Sequence, residues 1–475
     1  MATFQNGGNG NILQHSNPLK PLKPHSHSLS NPLSLFSQTP DPKLTITGPS
    51  KLSGHVPISG SKNSALSILA ATLCCSGTSK LTNVPNVSDT RIMASILSSL
   101  GAQIEVCDDE FLVNTDGVRS VEPSSDGIRK IRAGFFVIGP LLARFGEATV
   151  ALPGGCDIGA RPVDLHIRGL RALGAVVELR DGKVQAHAAN GRGLVGGRFQ
   201  LDYPSVGATE TLMMAACMAD GVTVLSNVAQ EPEVLDLARF LTDSGACVEG
   251  AGSNKLVIKG KCQMHGCECP ISPDRIEAGT FMLAAAISRS CISMSPVIPC
   301  HLKCLIDKLS LAGCKVRQCN HETFEISAAS TDVIEDLRAF DFKTGPFPGF
   351  PTDLQPQTMA LLTTCSGSST VEEFVFEKRM GHVKELLKLG ARIQLCGSTA
   401  LVFGKEKGSR LRGSRLVATD LRGGMSLVLA GLAAEGTTEI TGTAHIDRGY
   451  ESFEKKLQFL GADVKRSIPL ACQMA

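Results

Sequence analysis

One pattern recurs six times along the chain and constrains its fold more than any other feature. In each copy an amphipathic stretch ends at a glycine, and a short segment with alternating apolar side chains follows. Successive glycines are 68 to 77 residues apart. Glycine readily adopts the left-handed conformation that ends a helix, so each copy predicts a helix followed by a strand. The six glycines are Gly101, Gly174, Gly245, Gly313, Gly390 and Gly461.

A second predicted helix precedes this pair in every copy and is apolar on nearly all sides. Such a helix packs in the interior, whereas an amphipathic helix such as residues 450–460 lies outside. The pattern therefore predicts an α/β architecture of α+β units with buried helices and outer sheets. The period exceeds the ~20 to 50 residues usual for open solenoids, so we expect two closed halves of three units each. The apolar helices are predicted over residues 64–75, 131–145, 208–219, 278–288, 357–365 and 425–434.

The composition is that of a globular protein, and 475 residues are enough for two hydrophobic cores. Hydrophobic residues make up 43% of the chain and charged residues 19%, which argues against disorder throughout. The formal net charge of +2 gives no overall field for nucleic acid or an anionic membrane, and we expect neither partner. Any anionic ligand must then be held by local cations. The longest apolar run, residues 133–143, is shorter than the ~20 residues that cross a bilayer.

The cysteine pattern and the absence of nucleotide-binding motifs indicate which cofactors to expect. Seventeen cysteines are scattered through apolar segments, which favours a reducing compartment over a disulfide framework. Cys262, His265, Cys267 and Cys269 lie close together, but their spacing matches no common zinc pattern. No Gly-x-Gly-x-x-Gly follows a predicted strand, and no Walker A motif occurs. We therefore expect no metal and no cofactor.

Residues 1–40 differ from the rest of the chain. They contain no Asp or Glu, are rich in Ser, Asn, Pro and His, and carry only Lys20 and Lys23 as permanent cations. Such a segment cannot form a core and has no continuous apolar stretch, so it is typical of an organelle transit peptide rather than a secretory signal. Its lack of arginine favours a plastid over a mitochondrion. A plain disordered tail is the alternative; otherwise we expect the protein in the chloroplast stroma, with folded sequence from near Lys43.

Four Gly- or Pro-rich turns carry charged or nucleophilic residues at the ends of predicted elements, where functional groups tend to lie. The most informative turn surrounds Cys156, which three glycines flank within three residues. A loop rich in glycine has the backbone freedom of a lid. The nearby Arg161 would lower the thiol pKa and Asp157 would oppose it, so this segment alone leaves open a reactive thiol or an inert loop cysteine.

The other three turns place ionisable side chains near predicted helix starts. Lys62 begins the first buried helix, where backbone amides and an ammonium form an anion site, unless the lysine is simply solvated. Asp353 precedes another helix, so a helix cap is the alternative to a catalytic carboxylate. Arg422 and Arg448 each follow an aspartate, and surface ion pairs are the alternative for both.

Together these motifs resemble those of the UDP-N-acetylglucosamine enolpyruvyl transferases over residues 43–466. The resemblance implies an inside-out α/β barrel of two domains, each built from three copies of one unit. It places domain I at residues 41–61 plus 274–475 and domain II at residues 62–273, with chain crossings near Ser61 and Pro273. Besides the turns above, the matching motifs are Pro153-Gly154-Gly155-Cys156 through His166, Ser205-Val206-Gly207-Ala208-Thr209, Glu231-Pro232-Glu233 and Pro273-Asp274-Arg275-Ile276-Glu277.

The resemblance implies a reaction in which the enolpyruvyl group of phosphoenolpyruvate passes to the 3′-hydroxyl of UDP-N-acetylglucosamine, releasing phosphate through a tetrahedral ketal. This is the first committed step towards peptidoglycan. Such chemistry needs a base for the hydroxyl proton, an acid for the methylene carbon, and cations for the carboxylate and phosphate. The resemblance makes Asp353 the base, and makes Cys156 the lid acid or an aid to product release. It makes Lys62 and Arg448 catalytic as well.

The resemblance also implies two sets of substrate contacts and a monomer without cofactors. Ser88 and Tyr203 depart from the pattern, because some members have lysine at these positions; Arg91 is a candidate substitute for the first. The phosphoenolpyruvate contacts are Lys62, Arg132, Arg161, Arg422 and Arg448. The UDP-N-acetylglucosamine contacts are Asn63, Arg132, Arg161, Pro162, Val163, Asp164, Leu165, Ser205, Val206, Gly207, Asp353 and Val375.

Two other functions compete with this one. The 5-enolpyruvylshikimate 3-phosphate synthases share the repeat fold and the phosphoenolpyruvate chemistry, but their equivalent loop lacks cysteine. A scaffold that kept the fold without catalysis is the second, and the departures at Ser88 and Tyr203 would fit it. Retention of Lys62, Cys156 and Asp353 together with both arginines argues against a scaffold.

Overall fold

The computed structural model describes residues 42–467 except 190, 192, 329–335 and 407–409, and within them it contains six small sheets. The predicted transit peptide lies outside the described residues. In order of hydrogen-bonded neighbours, the sheets are β21 (Arg415–Val417), β22 (Gly436–Thr441), β1 (Lys43–Gly48) and β23 (Asp463–Ser467); β13 (Glu268–Pro270), β3 (Thr78–Thr82), β5 (Glu110–Asn114) and β4 (Gln103–Cys107); β6 (Glu147–Ala151), β8 (Lys183–Ala188) and β7 (Ala175–Arg180); β11 (Cys247–Glu249), β12 (Lys255–Lys259), β10 (Val222–Ser226) and β9 (Arg198–Gln200); β15 (Lys315–Gln318), β16 (Phe324–Ser327), β14 (Cys291–Ser295) and β2 (Ser53–Pro57); and β17 (Phe342–Lys343), β18 (Ser368–Glu372), β20 (Thr399–Phe403) and β19 (Arg392–Cys396).

The helices alternate with these strands, which confirms the predicted α/β architecture of six units. Each four-stranded sheet pairs three antiparallel strands with one parallel edge strand, as β13 does beside β3. Along β5 the buried Phe111 and Val113 alternate with more exposed residues, as expected for a sheet with one face on the core. The α-helices are α1 (Lys62–Ala71), α2 (Ser88–Leu100), α3 (Ser125–Lys130), α4 (Ile138–Phe145), α5 (Asp164–Ala172), α6 (Val206–Met218), α7 (Pro232–Asp243), α8 (Arg275–Ile287), α9 (Lys303–Ala312), α10 (Gln355–Leu362), α11 (Val383–Lys388), α12 (Leu421–Ala433) and α13 (Phe453–Phe459).

The six repeat glycines end helices as predicted. All six have positive φ values, between 82° and 108°, and a strand begins one or two residues after each of them. Side chains rarely adopt this backbone conformation, so glycine is the residue that ends the helix without strain. The repeat therefore fixed both the number of units and the position at which each outer helix turns into a strand.

Two predicted helices begin later than expected. The segment 131–145 starts as a 3₁₀ turn, Arg132–Val137, and becomes α-helical only at Ile138. Pro140 lacks a backbone donor and is tolerated only in the first turn of an α-helix, so the helix begins just before it. Likewise α13 begins at Phe453 rather than at Tyr450, whose buried hydroxyl instead lies 2.9 Å from the Thr280 hydroxyl.

Nearly all buried apolar residues in the part of the chain that the structure describes form two separate clusters, which we call core I and core II. Core I draws on residues 44–58 and 276–464, and core II on residues 65–271. The chain passes between them twice, and the two passages run side by side. Ser61 N–H donates to Ser272 O at 2.7 Å, and Asp274 N–H donates to Ser59 O at 2.8 Å. The domain boundaries given above stay a prediction.

The central helices form the interior of each core. In α8 and α12 every residue but one is buried, whereas the outer helices keep a polar face. Within the described residues the six sheets remain separate, and none closes into a barrel. No helix among the described residues has the length and apolar character needed to span a bilayer.

Candidate active site

A cavity of about 600 Å³ lies where residues from the two cores meet. Most of the residues singled out in the sequence line this one cavity, although they are spread over nearly 400 positions of the chain. The predicted residues that line it are Lys62, Asn63, Arg132, Cys156, Arg161, Pro162, Ser205, Val206, Gly207, Asp353, Val375, Arg422 and Arg448.

Three predicted contacts do not line the cavity. Val163, Asp164 and Leu165 form the start of α5, which packs against core II. Leu165 is buried in that core, Val163 packs against it, and the exposed Asp164 carboxylate lies 3.9 Å from Arg168. The side chains of these three residues thus face core II or solvent, and their predicted contacts with the UDP-sugar stay a prediction.

The Cys156 loop reaches from core II across to core I. The thiol is half-buried, packs against core I, and accepts a hydrogen bond from Arg448 Nη1 at 3.1 Å. Asp157 points away, with its carboxylate 3.6 Å from Lys378 Nζ. The cation in contact with the sulfur is therefore Arg448 rather than the expected Arg161.

Asp89 joins two of the predicted catalytic cations. Its buried carboxylate lies 2.9 Å from Arg448 Nε and 3.6 Å from Lys62 Nζ. Lys62 begins α1, so it also lies at the positive end of a helix. The sequence alone indicates no catalytic role for Asp89, since an acid in the first turn of a helix is expected to stabilise the helix. Its position directly after Ser88, where the chain departs from the family pattern, was the signal in the sequence that could have indicated a role in the site.

Asp353 lies in a 3₁₀ turn before α10 and is held by two guanidinium groups. Arg422 Nη2 lies 3.0 Å from one carboxylate oxygen, and Arg379 Nη1 lies 2.8 Å from the other. Burial by itself would raise the pKa of Asp353, but the charges of Arg422, Arg379 and Lys62 outweigh it and lower the pKa. The carboxylate is thus ionised at neutral pH. Its side chain caps no helix, so the helix-cap alternative is wrong.

Arg422 and Arg379 are buried cations with unused donors. Arg422 Nη1 and Arg379 Nε are both buried and have no hydrogen-bond partner among the described residues. The surface ion-pair alternative is also wrong. Asp420 caps α12 through the N–H groups of Arg422 and Gly423, and Asp447 pairs with a more distant arginine. Arg379 was missed because nothing in its sequence context distinguishes a buried arginine from a solvated one.

Arg132 and Arg161 add positive charge to the cavity lining. Neither forms an ion pair with a carboxylate of the described residues. Burial and then the charge of Arg161 lower the pKa of Arg132 to about 10, and burial and then Arg379 lower the pKa of Arg161. A desolvated guanidinium group beside another cation is stabilised by a nearby anion. This part of the cavity is therefore built for a negatively charged ligand.

Other residues of the cavity lining offer hydrogen-bonding groups. Asn63 Nδ2 donates to Glu233 Oε1 at 3.2 Å, and Arg275 holds that carboxylate at 3.3 Å. Ser205 caps α6 by accepting the Ala208 N–H at 3.4 Å, so the first amides of α6 line the cavity. A helix N-terminus of this kind binds phosphate groups.

The two departures from the family pattern differ in position. Ser88 donates to the Asp447 carbonyl at 3.3 Å and does not line the cavity, whereas the half-exposed Tyr203 does. Arg91 is outside the lining too, with Nη2 3.5 Å from Asn86 O, so it does not replace a lysine in this site. Among the described residues no group of three or more His, Cys, Asp or Glu side chains is arranged to hold a metal ion.

Comparison with known proteins identifies the family. The model of the family EPSP synthase (3-phosphoshikimate 1-carboxyvinyltransferase) matches residues 46–457. A UDP-N-acetylglucosamine 1-carboxyvinyltransferase of Gloeobacter violaceus is 50% identical over 432 residues, which cover 91% of this chain and 92% of that protein. A protein of the same name from Synechocystis sp. is 46% identical and covers 89% of this chain and 95% of its own.

Solved structures agree with the sequence relatives. The enolpyruvyl transferase NikO from Streptomyces tendae superposes with a TM-score of 0.80 at 26% identity, covering 90% of this chain and 99% of that one. An EPSP synthase from Acinetobacter baumannii, at 19% identity and a TM-score of 0.68, shares the fold. The extent of these matches, together with the cavity that gathers the predicted residues, shows that the chain belongs to the UDP-N-acetylglucosamine 1-carboxyvinyltransferase family of enolpyruvyl transferases.

Proposed function

We propose that the protein transfers the enolpyruvyl group of phosphoenolpyruvate to the 3′-hydroxyl of UDP-N-acetylglucosamine and releases phosphate. One observation carries the proposal: a loop thiol, an ionised carboxylate and a cluster of cations, brought from both cores, line the same cavity. Addition and elimination at phosphoenolpyruvate need these three kinds of group.

The cations supply the site for phosphoenolpyruvate, which carries a phosphate and a carboxylate. Lys62 and Arg448 are held together by Asp89. Arg132 and Arg161, which form no ion pair among the described residues, favour an anion because burial lowers the pKa of both. The free Nη1 donor of Arg422 is placed to bind a carboxylate. Cations that are already fixed in place stabilise the negative charge of a tetrahedral intermediate without reorganising.

The acid and base have separate positions. As the sugar oxygen attacks C2 of phosphoenolpyruvate, the hydroxyl proton passes to Asp353 and the methylene carbon takes a proton from Cys156. In the elimination the Cys156 thiolate takes a proton from the new methyl group, the C2–O bond to phosphate breaks, and the departing phosphate takes the proton from Asp353, which leaves the enolpyruvyl ether and the starting enzyme. Arg448, which donates to the Cys156 sulfur, stabilises the thiolate left after proton donation.

UDP-N-acetylglucosamine takes the rest of the cavity. The amides at the start of α6, at Ser205, Val206 and Gly207, suit its diphosphate, and Asn63 offers an amide to a sugar hydroxyl. Val375 contributes an apolar wall. This acceptor distinguishes the proposal from EPSP synthase activity, since the relatives with 46 to 50% identity carry the name of the sugar-nucleotide enzyme.

The test is phosphate release by the purified full chain with phosphoenolpyruvate and either UDP-N-acetylglucosamine or shikimate 3-phosphate. We expect release only with the sugar nucleotide. Release with shikimate 3-phosphate instead would support the EPSP synthase function, and release with neither would support the scaffold. Asp353→Asn is the matched inactive control, and Glu322→Ala, at an exposed position outside the cavity lining, is the active one.

We also propose that the protein works as a monomer in the chloroplast stroma, where it supplies a peptidoglycan precursor. The absence of Asp and Glu from residues 1–40 supports the chloroplast location. These residues fused to a fluorescent reporter should carry it into plastids, while a fusion of residues 43–82 should not. If the first fusion stayed in the cytosol while a control protein entered the plastids, the proposed chloroplast location would be contradicted.

A further inference from the structure

The Cys156 loop is fastened to core I by a short segment that the reaction itself does not use. This segment, Phe376 to Lys378, follows β18 and belongs to the other side of the cavity from the loop. Two hydrogen bonds with backbone N–H donors join the loop and the segment. Ala160 N–H donates to the Glu377 carboxylate at 2.7 Å, and Lys378 N–H donates to Ile158 O at 3.1 Å.

The loop backbone is shaped around the Glu377 carboxylate. A Cβ atom added at Gly159 would lie 2.4 Å from Glu377 Oε2, and Gly159 has a φ of +145°, which side chains rarely adopt. The carboxylate therefore occupies the space that any other residue at 159 would fill. The glycine serves a close approach here, in addition to giving the loop freedom to move.

Two further contacts flank this one. Lys378 Nζ lies 3.6 Å from the Asp157 carboxylate, and the Arg161 guanidinium lies over the Phe376 ring at 5.2 Å from its centre. Loop and segment thus meet at five consecutive loop residues. The bond from Ala160 N–H to the Glu377 carboxylate is the shorter of the two contacts that involve a carboxylate, and accepting it lowers the pKa of Glu377.

We propose that Glu377 is a positioning residue that acts through the Cys156 loop: it holds Ala160 so that the thiol lies beside Arg448 over the cavity. The proposal rests on the function proposed above for the role of the thiol, but the contact itself is independent of that function. Glu377 touches no reacting atom in this account. Its effect is on how often the loop is docked when both substrates are bound.

The first measurement is residue-resolved hydrogen exchange of the free protein and of the protein with UDP-N-acetylglucosamine. In Glu377→Ala the Ala160 amide should exchange faster by about 2- to 12-fold, the value of one net hydrogen bond. The Lys378 amide should follow, because it bonds to the same loop. Glu377→Gln keeps an acceptor oxygen and should restore most of the protection. Glu322→Ala should leave both amides unchanged.

The second measurement separates positioning from a merely structural role. Glu377→Ala should lower kcat by a similar factor, Glu377→Gln should recover it, and the melting temperature should stay within 1 °C of wild type because Glu377 is exposed. Unchanged Ala160 exchange in Glu377→Ala, or equal kcat in the alanine and wild-type proteins, would overturn the proposal. If the wild-type protein releases no phosphate, the proposed function fails, and the exchange comparison still decides whether Glu377 holds the loop.

Discussion

At the scale of single residues, the sequence indicated the candidate catalytic side chains but not the residues that contact them. Lys62, Cys156 and Asp353 stood out because each lies in a turn where packing asks for no such side chain. Asp89 and Arg379 escaped notice because their roles arise from contacts over more than 25 positions, which no local pattern encodes. The roles of all these residues in catalysis stay predictions that substitutions can test.

Replacing Asp353 with asparagine should lower kcat by about 100- to 10,000-fold, because the amide keeps the shape but cannot take a proton. The melting temperature should fall as well, since Arg422 and Arg379 lose a buried counter-charge. Steady-state phosphate release and thermal unfolding measure the two effects. Asp463→Asn, on an exposed ion pair, is the control. Activity within threefold of wild type would remove Asp353 from the role of base.

Among the seventeen thiols, Cys156 should be the one alkylated by fosfomycin, an epoxide phosphonate that resembles phosphoenolpyruvate. The phosphonate needs the Lys62 and Arg448 cations, and binding there makes thiol attack an effectively unimolecular step. Cys156→Asp should be unlabelled and resistant but active, because a carboxyl group also donates a proton. Peptide mass spectrometry reports the site. Adducts spread over several cysteines, or none with active enzyme, would count against the assignment.

At the scale of elements, the repeat glycines predicted where each outer helix ends and the next strand begins. They did so because a residue in the left-handed conformation is required where a helix is followed at once by a strand. Helix starts were less predictable. Pro140 delays one α-helix, and Tyr450 is drawn into the core before α13 begins. In both places a steric or tertiary effect overrides the apolar pattern that suggested an earlier start.

The start of α11 should make stability depend on pH. Burial lowers the pKa of His382, the residue just before α11, to about 4; the Asp420 charge opposes this shift and Arg379 adds to it. The unfolded state then binds more protons between pH ~6.5 and 4, so the free energy of unfolding falls as the pH falls through this range. His382→Gln should flatten the decline by about 1–3 kcal/mol in urea titrations at each pH.

The matched control for this titration is His55→Gln, at an exposed histidine on β2. The slope of unfolding free energy against pH for this variant is the reference for a histidine replaced outside the core. Equal slopes for wild type and His382→Gln between pH 6.5 and 4 would show that His382 does not disfavour its proton in the folded protein.

At the scale of the whole molecule, the site depends on both cores. Cys156, Asp89 and Lys62 come from the core II side, and Arg448 and Asp353 from the core I side, while the chain links the two sides through paired passages at residues 59–61 and 272–274. The sequence predicts which half of the molecule carries each motif, but only the structure shows which side chains of the two halves contact each other.

Binding of UDP-N-acetylglucosamine should therefore compact the protein and protect the Cys156 loop from proteolysis, because the substrate spans residues of both sides. Small-angle scattering and limited proteolysis with saturating sugar nucleotide measure the two effects, with UDP-glucose as the matched ligand control. Scattering profiles and cleavage rates that do not change with the sugar nucleotide would contradict closure.

The central claim is that this cavity carries out enolpyruvyl transfer by addition and elimination. The most direct test is the reaction of phosphoenolpyruvate with UDP-N-acetylglucosamine in D₂O, followed by proton NMR and mass spectrometry of the product. Because the methylene carbon takes a proton from the enzyme and later loses one from a methyl group, we predict an enolpyruvyl ether with deuterium in its vinyl group. The absence of this ether, or an ether whose vinyl group contains no deuterium, would contradict the account.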